Sequence, residues 1–218
     1  MNETKLWING QWQEAKETYE LTSPYNGEMI AKVAKASVSD VEQAIEGAQN
    51  AFLSFKQTTA YDRAEILYKV VDIMRRRKDE LAEILAQEAG KPISAGLPEI
   101  ERTIATYQFA AEGAKQVKGE TVPMDAAPGA GDRIGWTKRE PLGVISAITP
   151  FNFPFNLVAH KLGPAFAVGN TVVLKPATQT PLSAIVMAEI FKEAGLPDGA
   201  LQIVTGSGGE LSDTLVTH

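Results

Sequence analysis

The sequence contains no cysteine. Disulfides, thiolate metal sites and any cysteine nucleophile encoded within these 218 residues are therefore excluded. Histidine is scarce as well: His160 and His218 are the only 2, too few for a histidine-rich metal site. There is no surplus of positive charge. Lysine and arginine number 21 against 27 aspartates and glutamates, a net charge of -6, which argues against nucleic acid and against anionic membrane surfaces as partners. The one dense basic run, Arg75-Arg76-Arg77-Lys78, is followed at once by Asp79, Glu80 and Glu83 and reads as a solvated helix face. The N-terminus carries no apolar signal core and no hydrophobic run approaches a membrane span, so a cytoplasmic location is expected.

What is present is the balance of an ordinary globular protein, 44% hydrophobic and 22% charged. Residues 5 to 37 read as β structure. Asn9-Gly10 between Leu6-Trp7-Ile8 and Gln11-Trp12 is a strong hairpin signal, and a second turn at Ser23-Pro24-Tyr25-Asn26-Gly27 precedes a strand over Met29–Val33. Four helical segments are expected next. Ser39 with Glu42 makes a capping box ahead of the stripe Val41, Ala44, Ile45, Ala48, Phe52 and Phe55. Ile66, Leu67, Val70, Val71 and Met74 form the second stripe, and Leu81, Ile84 and Leu85 the third, which Gly90 and Pro92 stop. A long seam follows through Ile93, Leu97, Ile100, Ile104, Tyr107 and Ala111, in which Pro98 is tolerable only near the start or at a kink. Residues 119–141 then change character. Small residues from Ala126 to Gly131 separate two short extended pieces, as in a projecting β-hairpin whose Trp136 would need covering.

From Gly143 the pattern alternates regularly. Strands are expected at Gly143–Ile148, Thr171–Leu174 and Gln202–Val204, with helices at Phe153–Val168, Pro181–Ala194 and from Gly209. The unalternating apolar strands imply burial on both faces, as in a parallel sheet. The fold class is therefore α/β: a doubly wound parallel sheet, Rossmann-like and incomplete, preceded by an N-terminal β and helical segment and a β-hairpin arm. The corresponding division is residues 1–118, an arm at 119–141, and three β-α units over 142–218. In the usual strand order, stopping after the third unit leaves Gly143–Ile148 with one open edge.

Ligands of such sheets bind beyond the carboxyl ends of the strands, so the polar groups there are the candidates. Asn152, in the turn Thr149-Pro150-Phe151-Asn152-Phe153-Pro154, can donate a side-chain N–H to a developing oxyanion or close an Asx-turn on its own backbone. Lys175 can reach ribose hydroxyls or a phosphate, or can snorkel to the sheet edge. Thr178 can cap the next helix, alone or beside a nucleotide. Thr205-Gly206-Ser207-Gly208-Gly209 can admit a flat ring or a phosphate at a helix N-terminus, although the full G-x-G-x-x-G spacing is missing, with Ser212 where a later glycine would stand.

Together these stretches resemble the aldehyde dehydrogenase superfamily. The motifs are Glu140-Pro141-Leu142-Gly143-Val144, Ile148 to Pro154, Lys161-Leu162-Gly163-Pro164-Ala165, Gly169 to Pro176, and Glu193-Ala194-Gly195-Leu196-Pro197, with Trp7-Ile8-Asn9-Gly10 and Pro24-Tyr25-Asn26-Gly27-Glu28 before them. The branch resembled handles small polar aldehydes of the lactaldehyde, succinate-semialdehyde or glyceraldehyde type.

The resemblance implies an NAD(P)-dependent oxidation of an aldehyde to an acid through a cysteine thioester. It implies Asn152 as oxyanion-hole donor and Thr149, Pro150 and Phe151 as the wall against the cofactor. Lys175 would bind the adenosine ribose, with Gly206, Gly208 and Gly209 beneath the adenine. Phe153, Leu157 and His160 would line the substrate tunnel. Thr178 stands where many members carry a ribose-binding glutamate; without an acid there, NADP is admissible beside NAD. The arm at 119–141 would mediate homo-oligomerisation. The family's cysteine and glutamate do not appear, so this chain is expected to be an N-terminal part, inactive alone and lacking the catalytic domain. The alternatives are a non-catalytic nucleotide-binding module or an interaction fragment.

Overall fold

The computed structural model describes residues 2–218. Five strands open the chain: β1 (Asn2–Glu3), β2 (Leu6–Ile8), β3 (Gln11–Gln13), β4 (Glu17–Thr22) and β5 (Met29–Lys35). The β2–β3 hairpin turns on Asn9 and Gly10, whose φ values of 54 and 75 are the left-handed pair such a tight turn requires. Four helices follow, α1 (Val38–Phe55), α2 (Ala60–Arg76), α3 (Lys78–Ala89) and α4 (Ile93–Ala114). The arm is a short antiparallel ribbon of β6 (Thr121–Val122) and β7 (Gly135–Trp136), with Trp136 68% and Ile134 92% exposed. Then come β8 (Val144–Ile148), α5 (Pro154–Ala167), β9 (Thr171–Lys175), α6 (Leu182–Glu193), β10 (Leu201–Ile203) and α7 (Gly208–Thr217).

Strands β8, β9 and β10 are parallel neighbours in the order expected. The β2–β3 hairpin joins the same sheet, β2 running antiparallel beside β10, to give the order β3-β2-β10-β9-β8. That addition was not legible in the sequence. Side chains alternate across the sheet. Val172, Leu174 and Ile203 enter the core shared with α2, α4, α5 and α6, while Leu6, Ile8, Val173 and Val204 pack with α1 and α7. The larger core is threaded by edge-on aromatic pairs: Phe55 with Phe166 at 6.2 Å, Phe166 with Phe191 at 5.0 Å, and Phe191 with Tyr107 at 5.6 Å. Each pair adds about 1 kcal/mol beyond area burial and ties α1, α5, α6 and α4 together.

Three expectations are corrected. The N-cap of α1 is Ser37, with Asp40 as its reciprocal partner, in place of Ser39 with Glu42; the Asp40 carboxylate accepts the Ser37 N–H at 2.7 Å and so selects the earlier serine. Strand β8 is not buried on both faces. Val144 and Ile145 are half-buried and Ser146 and Ile148 exposed, because among the described residues β8 is the edge strand and pairs with β9 alone. Thr178 is not a helix cap, since α6 starts at Leu182 behind Pro181. The basic run at the α2–α3 junction is ion-paired: Arg76 with Glu193, Arg77 with Glu80 and Glu189, and Lys78 with Glu101. No helix among the described residues is long and apolar enough to cross a membrane.

Candidate functional site

The parallel register places the three candidate turns at one edge of the sheet. Ile148 lies opposite Lys175 and Ile203 opposite Leu174. The strand ends are tied by Thr149 N–H donating to Lys175 C=O at 3.2 Å and Val204 N–H to Leu174 C=O at 3.0 Å. The segments 149–154, 175–180 and 205–209 therefore leave the sheet side by side.

In the first turn Thr149 is buried while Pro150, Phe151 and Asn152 are exposed. The Asn152 side-chain amide makes no hydrogen bond among the described residues, so no Asx-turn holds it; its backbone carbonyl instead accepts from Lys91 Nζ at 2.6 Å. Pro154 starts α5, and Phe153, Leu157 and His160, at spacings of four and three, share the helix face left exposed or half-buried. Asn156 Nδ2 lies 3.3 Å from His160 Nε2, and the Asn156 Oδ1 accepts from the Thr106 hydroxyl at 3.1 Å. Which partner donates in the Asn156–His160 contact follows the imidazole tautomer.

Lys175 does not snorkel. It is only 4% exposed and donates one hydrogen bond, 3.1 Å long, to the carbonyl of Pro176, leaving two donors of its ammonium unengaged among the described residues. Burial lowers its pKa from the usual lysine value. The Thr178 hydroxyl donates to Gly206 C=O at 3.0 Å and so fastens the second turn to the third. Gly206 has φ 146, and a Cβ there would lie 3.2 Å from Leu211 and 3.5 Å from the Ala36 nitrogen, so glycine is required. Gly208 faces open space, and a Cβ on Gly209 would meet nothing nearer than the Ser207 hydroxyl at 3.9 Å.

The three helix N-termini at this edge are treated differently. Neither α5 nor α6 has a capping side chain at its own N-cap, Phe153 or Pro181. Each borrows a buried glutamate from the helical layer. Glu99 Oε1 accepts Phe155 N–H at 3.1 Å, and Glu88 accepts Leu182 N–H at 2.7 Å and Ser183 N–H at 3.0 Å. Burial pushes the Glu88 carboxyl up to about 7 against the pull of those hydrogen bonds. The start of α7 has no side-chain cap, and its glycines face outward. An uncapped N-terminus of this kind favours an anion or a polarised ligand edge.

A groove of 610 Å³ runs between β4, the end of α3 and the first two turns, walled by Tyr19, Glu88, Lys91, Phe151, Asn152 and Thr178. Phe153, Leu157, His160, Lys175, Gly208 and Gly209 are not on its wall. Sequence reasoning missed Glu88, Lys91 and Glu99. A signal did exist: a glutamate beside Ile100 in an apolar seam is buried, and buried carboxylates are paired.

The aldehyde dehydrogenase family model matches residues 12–218. The chain belongs to the aldehyde dehydrogenase family. It is 46% identical over 214 residues to the 3-sulfolactaldehyde dehydrogenase of Priestia megaterium, covering 98% of this chain and 44% of that one. It is 37% identical over 218 residues to the D-glyceraldehyde dehydrogenase (NADP(+)) of Thermoplasma acidophilum, 99% of this chain and 43% of the relative. The crystal structure of the NADP-dependent glyceraldehyde-3-phosphate dehydrogenase of Bacillus halodurans, complexed with NADP, superposes with a TM-score of 0.96 at 37% identity, over 100% of this chain and 46% of that one. The chain thus spans less than half the length of the aldehyde dehydrogenases it matches. The resemblance to the branch acting on small polar aldehydes and the α/β fold are both upheld.

Proposed function

We propose that this chain forms the nucleotide-binding part of an NAD(P)-dependent aldehyde dehydrogenase acting on a small polar aldehyde. The observation that carries the reading is the convergence of Asn152, Lys175 and the Gly206–Gly209 turn at one sheet edge, linked through Thr149, Thr178 and the strand register. The residues fit the cofactor. Lys175 has donors for ribose hydroxyls, Gly208 and Gly209 leave the flat approach an adenine needs, and the exposed Thr178 opposes no carboxylate to a 2′-phosphate. The family's nicotinamide cofactor accepts hydride when bound.

Around it, Phe151 walls the cofactor side and Asn152 donates an N–H to the aldehyde oxygen as negative charge develops there. A donor of this type contributes ~10²–10³ in rate. Phe153, Leu157 and His160 face the substrate, with His160 in reach of a polar aldehyde. No cysteine stands among the 218 residues, so the thiolate step needs a residue outside this sequence and the 218-residue chain alone is inactive. The 119–141 arm, with Ile134 and Trp136 exposed, pairs with a second copy. The absent cysteine is the single observation that favours a second reading, a non-catalytic nucleotide-binding module.

Calorimetry of the purified chain with NADP and NAD tests the proposal. Saturable binding with NADP accepted is expected. A chain folded by circular dichroism that takes up neither nucleotide would sink it, as would aldehyde oxidation by the 218-residue chain itself.

A further inference from the structure

We propose that Lys91 and Glu99 are positioning residues that fix the turn presenting Asn152; this rests on the reading of Asn152 as oxyanion donor. Lys91 sits in the break between α3 and α4, after Gly90, whose φ of 64 turns the chain at the end of α3, and before Pro92. The turn aims its side chain at the 149–154 segment. An ammonium has three N–H donors, and here all have partners. One goes to Glu99 Oε2 at 2.5 Å, one to the Asn152 carbonyl at 2.6 Å, and the remaining side lies over the Phe153 ring, 4.3 Å from its centroid.

Glu99 completes the grip. It is 3% exposed, and its other oxygen accepts the Phe155 N–H at 3.1 Å, with the Asn156 N–H at 3.5 Å. The chain is therefore held three residues past Asn152, at Phe155, by the carboxylate and at Asn152 itself by the ammonium. The bond at Asn152 goes to the backbone carbonyl, so the side-chain amide stays free for a ligand while the peptide plane that orients it is fixed. Helix capping alone would need Glu99 but not Lys91. The contact to the carbonyl of the oxyanion donor is what separates positioning from general support. A misplacement of about 1 Å at such a donor costs ~10²-fold in rate.

The test is made on the ¹⁵N-labelled 218-residue chain and on an active hybrid in which this chain replaces the matching part of the Priestia megaterium 3-sulfolactaldehyde dehydrogenase, with Lys91→Met, Lys91→Arg, Glu99→Gln and Asn152→Ala. In the chain, Lys91→Met is expected to broaden or shift the Asn152 side-chain amide resonance. Glu99→Gln is expected to speed hydrogen exchange at Phe155. In the hybrid enzyme, Lys91→Met lowers kcat ~10- to 100-fold with KM little changed, and Lys91→Arg recovers most of the loss. The Lys91→Met and Glu99→Gln losses are less than additive. If Lys91→Met does not fold, Glu99→Gln and Lys91→Arg carry the same comparison. An unmoved Asn152 resonance, or full kcat in Lys91→Met beside a loss in Asn152→Ala, overturns the proposal and leaves the site reading intact. Full activity in Asn152→Ala overturns the site reading itself.

Discussion

The carboxylate of Glu88, at the end of α3, accepts the backbone N–H of Ser183, 95 residues later and at the start of α6, at 3.0 Å. It serves Leu182 and the Ser183 hydroxyl as well, so one buried side chain stands in for the cap that Pro181 cannot supply. Glu88→Ala is expected to cost about 2 kcal/mol by urea denaturation, with Glu88→Gln milder. The same group gives stability a pH dependence. Its folded value is raised from 4.5 to about 7, chiefly by burial, with Glu99 nearby adding to the rise. The folded state thus binds the proton more tightly, and the Glu88 contribution is fully present below 4.5 and lost as pH rises through about 7. Asp62 and Glu80, whose values are lowered by hydrogen bonds from Thr59 and Arg77, act oppositely at lower pH. Thermal melts between pH 5 and 8 check this: Glu88→Gln should flatten the fall that runs from about 4.5 up to about 7, and an unchanged slope there would contradict it.

Tyr107 is wholly buried in the aromatic thread, and its hydroxyl has no hydrogen-bond partner among the described residues. An unsatisfied buried polar group costs about 1–3 kcal/mol, so Tyr107→Phe should be neutral or should stabilise by about 1 kcal/mol. A loss of stability in denaturant titrations would show that the hydroxyl is satisfied in solution.

Thr178 is exposed where the turn meets the Gly206 carbonyl. A glutamate at this position would repel a 2′-phosphate and could accept from two ribose hydroxyls. Thr178→Glu is therefore expected to lower the NADP to NAD affinity ratio at least about tenfold by calorimetry, the equivalent of roughly 1.4 kcal/mol. An unchanged ratio would place the ribose elsewhere.

Among the described residues strand β8 is bonded on one side only, and Ile148 on it is 44% exposed. An unpaired apolar edge is a template for association. Light scattering of the 218-residue chain should show mass rising with concentration, and Ser146→Lys should reduce it; a monomer at high concentration counts against this.

Much of the fold was legible because it is local. The Asn9-Gly10 hairpin, the stripe from Val41 to Phe55 and the β-α alternation from Gly143 are written in periods and turn residues that act within a few positions. The candidate turns were legible too, since strand ends in a parallel sheet share one edge, and Lys175 ends its strand while Asn152 and Gly206 stand just past theirs. The first helix cap was misread because two serines two positions apart both fit the pattern, and only the Asp40 bond distinguishes them.

What the sequence determined by itself is therefore the kind of elements, their order and the edge at which the candidate turns leave the sheet, all fixed by short-range sterics and burial periodicity. Only the tertiary structure decided that β2 closes onto β10, that Glu88 and Glu99 cap helices they do not belong to, and that Lys91 holds Asn152 across 61 residues. Those contacts join groups whose meeting depends on how whole layers pack, and a buried charge finds its partner through that packing rather than through any spacing along the chain.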